Sequence, residues 1–226
     1  MRSYTPDEYS RLVEASENKG LQDYMEQEAE FITRTPDALH RTFVDLGAGH
    51  GRVISTLADT AHEVIAIEIN PEMYAELERR SGNYKNVTVI AGDFNDLAGV
   101  LSGFELIRPV FLILQNTLGT VEGDYRKTLQ SMRECAEHEN GELVISLFRQ
   151  EALATWGLAM YKAAASMVGN YDAGKSNLDE GIFCTDTSHM SKWWTDKDIK
   201  EILRQTGGTL LEHRKQKNFS LLRITY

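Results

Sequence analysis

Cysteine, proline and long apolar runs are all scarce in this chain of 226 residues. The two cysteines, Cys135 and Cys184, provide neither a disulfide framework nor metal-ligand spacing, so we predict two reduced thiols and no metal site. No apolar run approaches the roughly 20 residues of a membrane span, and the amino terminus lacks the apolar core of a signal peptide. These absences predict a soluble, cytoplasmic protein without a membrane partner.

Positive charge is also in deficit, since 24 lysine and arginine residues face 34 aspartate and glutamate residues, for a formal net charge of -10. An acidic surface repels polyanions, so we predict no nucleic-acid partner. The densest basic run, residues 214–217, lies between two predicted strands and is interpreted as a solvated hairpin turn.

Short apolar runs alternate with helical patterns along most of the chain. The runs predict strands at residues 42–46, 63–69, 86–91, 110–114 and 142–148. Such a rhythm implies parallel strands joined by right-handed crossovers. A capped helix at residues 195–205 is followed by apolar runs at 209–213 and 219–225, which predict an antiparallel hairpin. We therefore predict an α/β fold with a Rossmann-like, doubly wound, seven-stranded sheet, mostly parallel, with a C-terminal antiparallel hairpin and helices on both faces.

The first predicted strand runs into three alternate glycines, Gly47, Gly49 and Gly51, in the segment VDLGAGHGR. Glycine is needed where the backbone takes positive φ or passes within contact distance of a ligand. A dinucleotide-binding turn would read G-x-G-x-x-G, whereas Arg52 stands at its third glycine position here. The spacing therefore disfavours a nicotinamide-dependent oxidoreductase.

Acidic residues follow the next two predicted strands. Glu68, at the end of the second strand, is able to accept hydrogen bonds from both hydroxyls of a ribose, or is a solvated acid. After the third strand, Asp93 is able to accept from an adenine amino group, with Phe94 against the ring, or to cap a short helix. Together with the glycine turn, these positions predict a nucleoside-containing ligand.

The segments VDLGAGHGR, IAIEINPEM and AGDFND, in this order, resemble the first three motifs of class I S-adenosylmethionine-dependent methyltransferases, and the similarity extends from about residue 43 to residue 226. The resemblance implies S-adenosylmethionine as the cofactor and methyl transfer to a small-molecule acceptor by in-line displacement, through alignment and removal of water. The cofactor-binding residues that it implies are Asp45, Gly47, Ala48, Gly49, Gly51, Glu68, Ile69, Asp93, Phe94 and Gln115.

Two segments outside these motifs are expected to complete the site. Residues 1–35, with Tyr4, Tyr9 and Tyr24, are predicted to form a helical lid before a methyltransferase domain at residues 36–226. Residues 149–194 form an oversized connection after the fifth strand, which predicts a cap over the ligand edge of the sheet.

The fourth motif departs from the pattern of many relatives, because the fourth strand ends in the amides Gln115 and Asn116 instead of an acid. Amides do not serve as general bases near neutral pH. The acidic metal ligands of catechol methyltransferases are replaced by Asn116 and by Phe148 with Arg149, and the Asn-Pro-Pro-Tyr motif of nucleobase methylation is absent. The departure keeps open a second hypothesis, a non-catalytic S-adenosylmethionine-binding regulatory or partner protein.

No catalytic residue is assigned, and four candidates are kept: His50, Asn116, Arg149 and His189. His50 acts as a base or points to solvent from the glycine turn, and His189 acts in the cap or is a surface or structural residue. Arg149 clamps a substrate carboxylate or pairs with a local acid. Trp193 and Trp194 are interpreted mainly as a hydrophobic staple onto the core.

Overall fold

Seven strands lie side by side in one mixed sheet in the computed structural model, which describes residues 5–14, 16–121 and 123–226. Together with a separate two-stranded sheet, the strands of the described residues are β1 (Thr42–Leu46), β2 (Glu63–Glu68), β3 (Val87–Ala91), β4 (Val110–Ile113), β5 (Glu142–Phe148), β6 (Ile182–Cys184), β7 (Met190–Lys192), β8 (Thr209–Lys215) and β9 (Phe219–Thr225). The sheet order is β3-β2-β1-β4-β5-β9-β8, and β6 pairs separately with β7. Strands β1 to β5 are parallel, whereas β9 is antiparallel to both β5 and β8. The predicted sheet and its C-terminal hairpin are confirmed.

Helices connect the strands and cover both faces of the sheet. They are α1 (Pro6–Tyr9), α2 (Lys19–Thr33), α3 (Ile54–Thr60), α4 (Pro71–Ser81), α5 (Leu97–Val100), α6 (Tyr125–His138), α7 (Leu158–Ala163), α8 (Ala165–Val168) and α9 (Asp196–Thr206). Two π-helical turns, Ser10–Glu14 and Leu153–Gly157, adjoin α1 and α7. Within the described ranges, no helix is long and apolar enough to cross a membrane.

The central parallel strands β1, β2, β4 and β5 are buried on both faces, whereas the edge strand β3 is only partly buried. Burial on both faces explains why the sequence shows the central strands as continuous apolar runs. In β1, Phe43 packs into a core layer with α2, α3 and the cap, whereas Val44 and Leu46 pack into the opposite layer with α5, α6 and α9. This alternation follows the period of two of a strand. Between the two layers, the carboxyl ends of β1, β2, β4 and β5 form one edge of the sheet. The loops that follow these strands converge at this edge.

Helix α2 is part of the core. Its side chains Tyr24, Phe31 and Ile32 are at most 1% exposed. Arg223 Nη2 in β9 donates a hydrogen bond of 2.7 Å to the carbonyl of Phe31. Because α2 is anchored in this way, we restrict the proposed lid to α1 and the π-helical turn that follows it; Tyr4 lies outside the described residues.

Candidate active site

A cavity of about 680 Å³ opens at the carboxyl ends of the parallel strands. This volume is in the range of small-molecule and cofactor sites, and the location is the ligand edge of open α/β sheets. Strand ends and the loops after them form one half of its lining. The π-helical turn Ser10–Glu14, helices α7 and α8 and the strand β7 contribute the other half.

The three glycines all take positive φ, at 71°, 58° and 89° for Gly47, Gly49 and Gly51. At Gly49 a Cβ atom would meet nothing within 4 Å, so the backbone there borders open cavity. Gly51 has different surroundings from Gly49. A Cβ atom there would lie 2.9 Å from Leu77 Cδ1, and Gly51 does not line the cavity. Its lack of a side chain permits packing of α4 against the turn.

The Glu68 carboxylate is held at the lip of the cavity by two backbone donors. The N–H of Gly49 donates to Glu68 Oε2 at 2.8 Å, and the N–H of Asn70 donates to Oε1 at 2.7 Å. Glu68 is only 7% exposed, yet it lines the cavity. A carboxylate has about four acceptor positions, so two remain for ligand hydroxyls.

Two apolar side chains flank the same end of the cavity. Ile69 is 62% exposed despite its size, and Phe94 lines the cavity after β3. Asp93 also lines the cavity, and its Oδ1 accepts a hydrogen bond of 2.9 Å from the N–H of Asn95. Asp93 therefore caps the short turn that follows, which was the alternative interpretation of this residue, while it remains at the cavity wall.

A buried acidic group beneath the glycine turn was missed by sequence reasoning. Glu28 of α2 is 1% exposed and accepts hydrogen bonds from the Tyr24 hydroxyl and from Arg52 Nη2. It also accepts a bond of 2.8 Å from the N–H of Gln115 after β4. The available signal was a lone acid within the apolar face of a helix, which is rare unless the acid is paired.

Asp45, at the start of the turn, lies beside this group and lines the cavity. Burial raises the pKa of Asp45 to about 7. The Arg52 guanidinium opposes that rise in pKa, whereas the charges of Glu28 and Glu68 add to it. The turn thus holds a carboxyl group that titrates near neutral pH.

The amides after β4 connect the segments around the site. Gln115 and Asn116 both take positive φ, at 50° and 59°, a conformation that costs free energy in residues with side chains. The Tyr9 hydroxyl donates to Gln115 Oε1, which joins α1 to this strand end. Gln115 thus holds the amino-terminal segment against the sheet.

Asn116 lines the cavity, but its side chain is committed to the protein. Its Oδ1 accepts from the N–H of Phe148 at 3.0 Å and from Trp194 Nε1 at 2.8 Å. Its Nδ2 donates to the carbonyl of Lys192 at 3.0 Å and to Ser191 Oγ at 3.3 Å. All four hydrogen-bonding positions of the amide are used, so Asn116 joins the end of β4 to Phe148 and to residues 191–194.

His50 is only 1% exposed, so the solvent-facing orientation expected for it is wrong. Its Nε2 lies 3.1 Å from Glu14 Oε2, and the Tyr9 ring meets the imidazole edge-on with centroids 4.8 Å apart. This contact with His50 is the largest cause that lowers the pKa of Glu14 to about 2. His50 therefore joins the glycine turn to the amino-terminal segment.

Of the two remaining catalytic candidates, His189 lines the cavity and Arg149 does not. Arg149 lies outside the cavity lining, where its Nη1 and Nη2 pair with Asp196 Oδ1 at 2.7 Å and Glu151 Oε1 at 2.6 Å. It is thus bonded to local acids, which was the alternative to a substrate clamp. His189 is 8% exposed and lines the cavity, and burial lowers its pKa. Trp193 is fully buried in the core, as the staple interpretation predicted.

Comparison with known proteins gives one family and many similar folds. A family model described as "Methyltransferase domain" matches residues 39–207. A solved protein of Pyrococcus horikoshii OT3 has 15% identity and a TM-score of 0.68, with 96% of this chain and 98% of that chain covered. Magnesium protoporphyrin IX methyltransferase of Synechocystis PCC 6803, solved with S-adenosylhomocysteine, has 15% identity and a TM-score of 0.61, with 97% and 92% covered.

Curated relatives are similar over shorter segments. Ribosomal RNA small subunit methyltransferase A of Moorella thermoacetica is 38% identical over 81 residues, which are 33% of this chain and 28% of that protein. The chain spans about a third or less of the length of the curated relatives that it matches.

Proposed function

Because this chain belongs to the methyltransferase domain family and is a class I S-adenosylmethionine-dependent methyltransferase, we propose that it methylates a small molecule held under the cap. When bound, S-adenosylmethionine supplies a methyl group on a positively charged sulfur. The residues of this chain then have to align the acceptor with that group and exclude water.

The strand-end half of the cavity fits this cofactor. We propose that the open backbone at Gly49 borders its methionine part, that Glu68 accepts from the ribose hydroxyls, and that Ile69 with Phe94 encloses the adenine. The remaining members of the proposed binding set are Asp45, Gly47, Ala48, Asp93 and Gln115, all of which line the cavity. Gly51 supports the turn from behind.

The character of the other half of the cavity carries the small-molecule proposal. Leu12, Val13, Met160, Met167 and Val168 line it. Among the described residues, the Asp, Glu and Arg side chains that line the cavity all lie in the cofactor half. They are Asp45, Arg52, Glu68 and Asp93. The cation among these four pairs with Glu28. An apolar wall without an available cation suits an uncharged organic acceptor and lacks the phosphate contacts on which nucleic-acid binding depends.

Composition supports the same proposal. The net charge of -10 opposes binding to ribosomal RNA, the substrate in the names of several partial relatives. Both cysteines are free, in keeping with the cytoplasmic location that we propose. No observation in the described residues favours a non-catalytic role.

The test is consumption of S-adenosylmethionine with three kinds of acceptor: an ultrafiltered metabolite extract, purified ribosomal RNA and lipid vesicles. We expect S-adenosylhomocysteine to form with the metabolite extract alone. Formation only with RNA or vesicles would refute the small-molecule acceptor. Cofactor binding without turnover on any acceptor would instead favour the regulatory hypothesis.

The pKa of about 7 at Asp45 predicts proton-linked binding of the cofactor. In the free protein the carboxyl is protonated below pH 7, and a bound cation stabilises its charged form, so binding releases a proton. Affinity for S-adenosylmethionine should rise with pH up to about 7, by at most about tenfold per pH unit, and then level off. Isothermal titration between pH 5.5 and pH 8.5, about 1.5 units on either side of that pKa, measures this dependence.

The matched variants for this titration are Asp45→Asn and Asp59→Asn, because Asp59 is an exposed acid of α3 outside the cavity lining. Asp45→Asn should flatten the pH profile, whereas Asp59→Asn should retain it. An unchanged slope in Asp45→Asn would show that another group titrates.

Removal of residues 1–16 should leave the fold intact but weaken ligand binding. The truncation removes Tyr9, Leu12 and Val13 from the cavity wall and retains α2 in the core. We expect affinity for S-adenosylhomocysteine to fall about tenfold, which corresponds to about 1.4 kcal/mol.

Removal of residues 1–34 should instead unfold the protein, because α2 contributes Tyr24 and Phe31 to the core. Circular dichroism and calorimetric titration would check both variants, and unchanged affinity after the shorter truncation would contradict the proposed lid.

A further inference from the structure

His189 is fixed in the cap immediately before β7. Its N–H donates to Thr185 Oγ1 at 3.2 Å, and its carbonyl accepts from the N–H of Thr185 at 3.0 Å. Thr185 Oγ1 in turn donates to the carbonyl of Val168 at the end of α8 at 2.7 Å. The imidazole is therefore positioned by the cap and by helix α8, both of which border the acceptor half of the cavity.

One nitrogen of the His189 imidazole lacks a hydrogen-bond partner among the described residues. His189 is 8% exposed, and its Nε2 is buried with no hydrogen-bond partner among the described residues. Buried polar atoms are usually satisfied, and an exception in a residue that lines a cavity calls for an explanation, of which a catalytic role toward a bound ligand is one. Burial lowers the pKa of His189, so the ring is neutral at physiological pH and one of its nitrogens carries a free lone pair.

The side chains around this nitrogen restrict what the ligand is. The Tyr161 ring lies near the His189 imidazole, with ring centroids 6.0 Å apart, and Met160 and Met167 line the same half of the cavity. Ser191 Oγ, the nearest polar group along β7, already accepts from Asn116 Nδ2. A carboxylate or phosphate on the ligand would find no cation here among the described lining residues.

We propose that His189 Nε2 accepts the hydrogen of the group that is methylated, and hence that the acceptor is an uncharged, largely apolar molecule with a reactive hydroxyl or N–H. This inference rests on the proposed small-molecule function. The lone pair of the acceptor oxygen or nitrogen forms the bond to the methyl carbon, and the carbon–sulfur bond breaks with its electron pair left on sulfur. The acceptor proton passes to Nε2, and the imidazolium gives a proton back to solvent once the products have left.

Binding of three matched probes tests the proposal without turnover. The probes are 2-naphthol, 2-methoxynaphthalene and 2-naphthoate, titrated into protein saturated with S-adenosylhomocysteine. We expect 2-naphthol to bind at least tenfold more tightly than the other two, because it alone is uncharged and donates a hydrogen bond. Equal binding of 2-naphthol and 2-methoxynaphthalene, tighter binding of 2-naphthoate, or no binding of 2-naphthol would overturn the proposal.

The variant His189→Phe retains a ring but loses the acceptor nitrogen. Its affinity for 2-naphthol should fall about tenfold, to that of 2-methoxynaphthalene, with affinity for S-adenosylhomocysteine unchanged. His213→Gln is the control, since His213 lies on β8 and bonds Ser220 outside the cavity. Nitrogen NMR of the imidazoles adds an independent readout: Nε2 of His189 should be unprotonated at neutral pH and should shift with 2-naphthol. A protonated Nε2 would contradict the inference.

The two proposals fail in different ways. If the protein binds S-adenosylhomocysteine and turns over a small-molecule acceptor, but His189→Phe keeps full selectivity among the probes, only the role of His189 is wrong. If turnover requires RNA or vesicles, the small-molecule function itself is wrong.

Discussion

Gly49→Val is expected to abolish binding of S-adenosylmethionine in a protein that still folds. At Gly49 the backbone takes φ of 58°, and a Cβ atom would enter open cavity with no protein atom within 4 Å. A branched side chain there would occupy the space in which we place the methionine part of the cofactor. We expect the affinity to fall at least about a hundredfold, which corresponds to about 2.7 kcal/mol. Isothermal titration with S-adenosylhomocysteine measures the loss.

Backbone strain has to be separated from this steric effect, because a side chain at positive φ costs about 1–2 kcal/mol by itself. Gly103→Val supplies that control. Gly103 also takes positive φ, at 93°, and a Cβ atom there would again meet nothing within 4 Å. It lies in an exposed turn after α5, outside the cavity lining. Similar cofactor affinity in the two variants would show that Gly49 does not border the cofactor.

Glu28→Gln is expected to lower the free energy of unfolding by about 3 kcal/mol. The substitution keeps the shape of the side chain but removes the negative charge that pairs with the largely buried Arg52 guanidinium. Removing one partner of a buried ion pair leaves the other charge uncompensated, which costs about 3–5 kcal/mol. The nearby Asp45 carboxyl is an alternative counterion, so the loss should fall at the lower end of that range. Urea unfolding with an unchanged m-value would measure it.

The matched control is Glu26→Gln, because Glu26 is an exposed acid two positions earlier on the same helix. Its removal should change the free energy of unfolding by no more than about 0.5 kcal/mol. Equal losses in the two variants would contradict the proposed role of Glu28. A second consequence is electrostatic: without the Glu28 charge, the pKa of Asp45 should fall below about 7.

The central strands of the sheet were predictable because they are short, buried on both faces and bounded by breakers. The predicted strand at residues 142–148 coincides with β5, and that at residues 110–114 differs from β4 by one residue. Local patterns of this kind depend only on the period of the chain and on the chemistry of turns. The glycine turn and Glu68 were found for the same reason, since each follows directly from a strand end.

The polar groups that close the site were not predictable from local pattern. Three of the four partners of the Asn116 amide lie at residues 191–194, and the partner of His50 is Glu14, on the amino-terminal segment. Such pairs depend on which distant elements meet above the sheet. Gly51 depends on a distant element in the same way, since the atom nearest to a Cβ there belongs to Leu77 of α4.

A crystal structure with S-adenosylhomocysteine tests the central claim most directly. The account predicts that both ribose hydroxyls donate to Glu68, that the adenine lies between Ile69 and Phe94, and that the sulfur faces His189 and the apolar half of the cavity. A ribose remote from Glu68, or a sulfur that faces bulk solvent instead of the space beneath the cap, would contradict it.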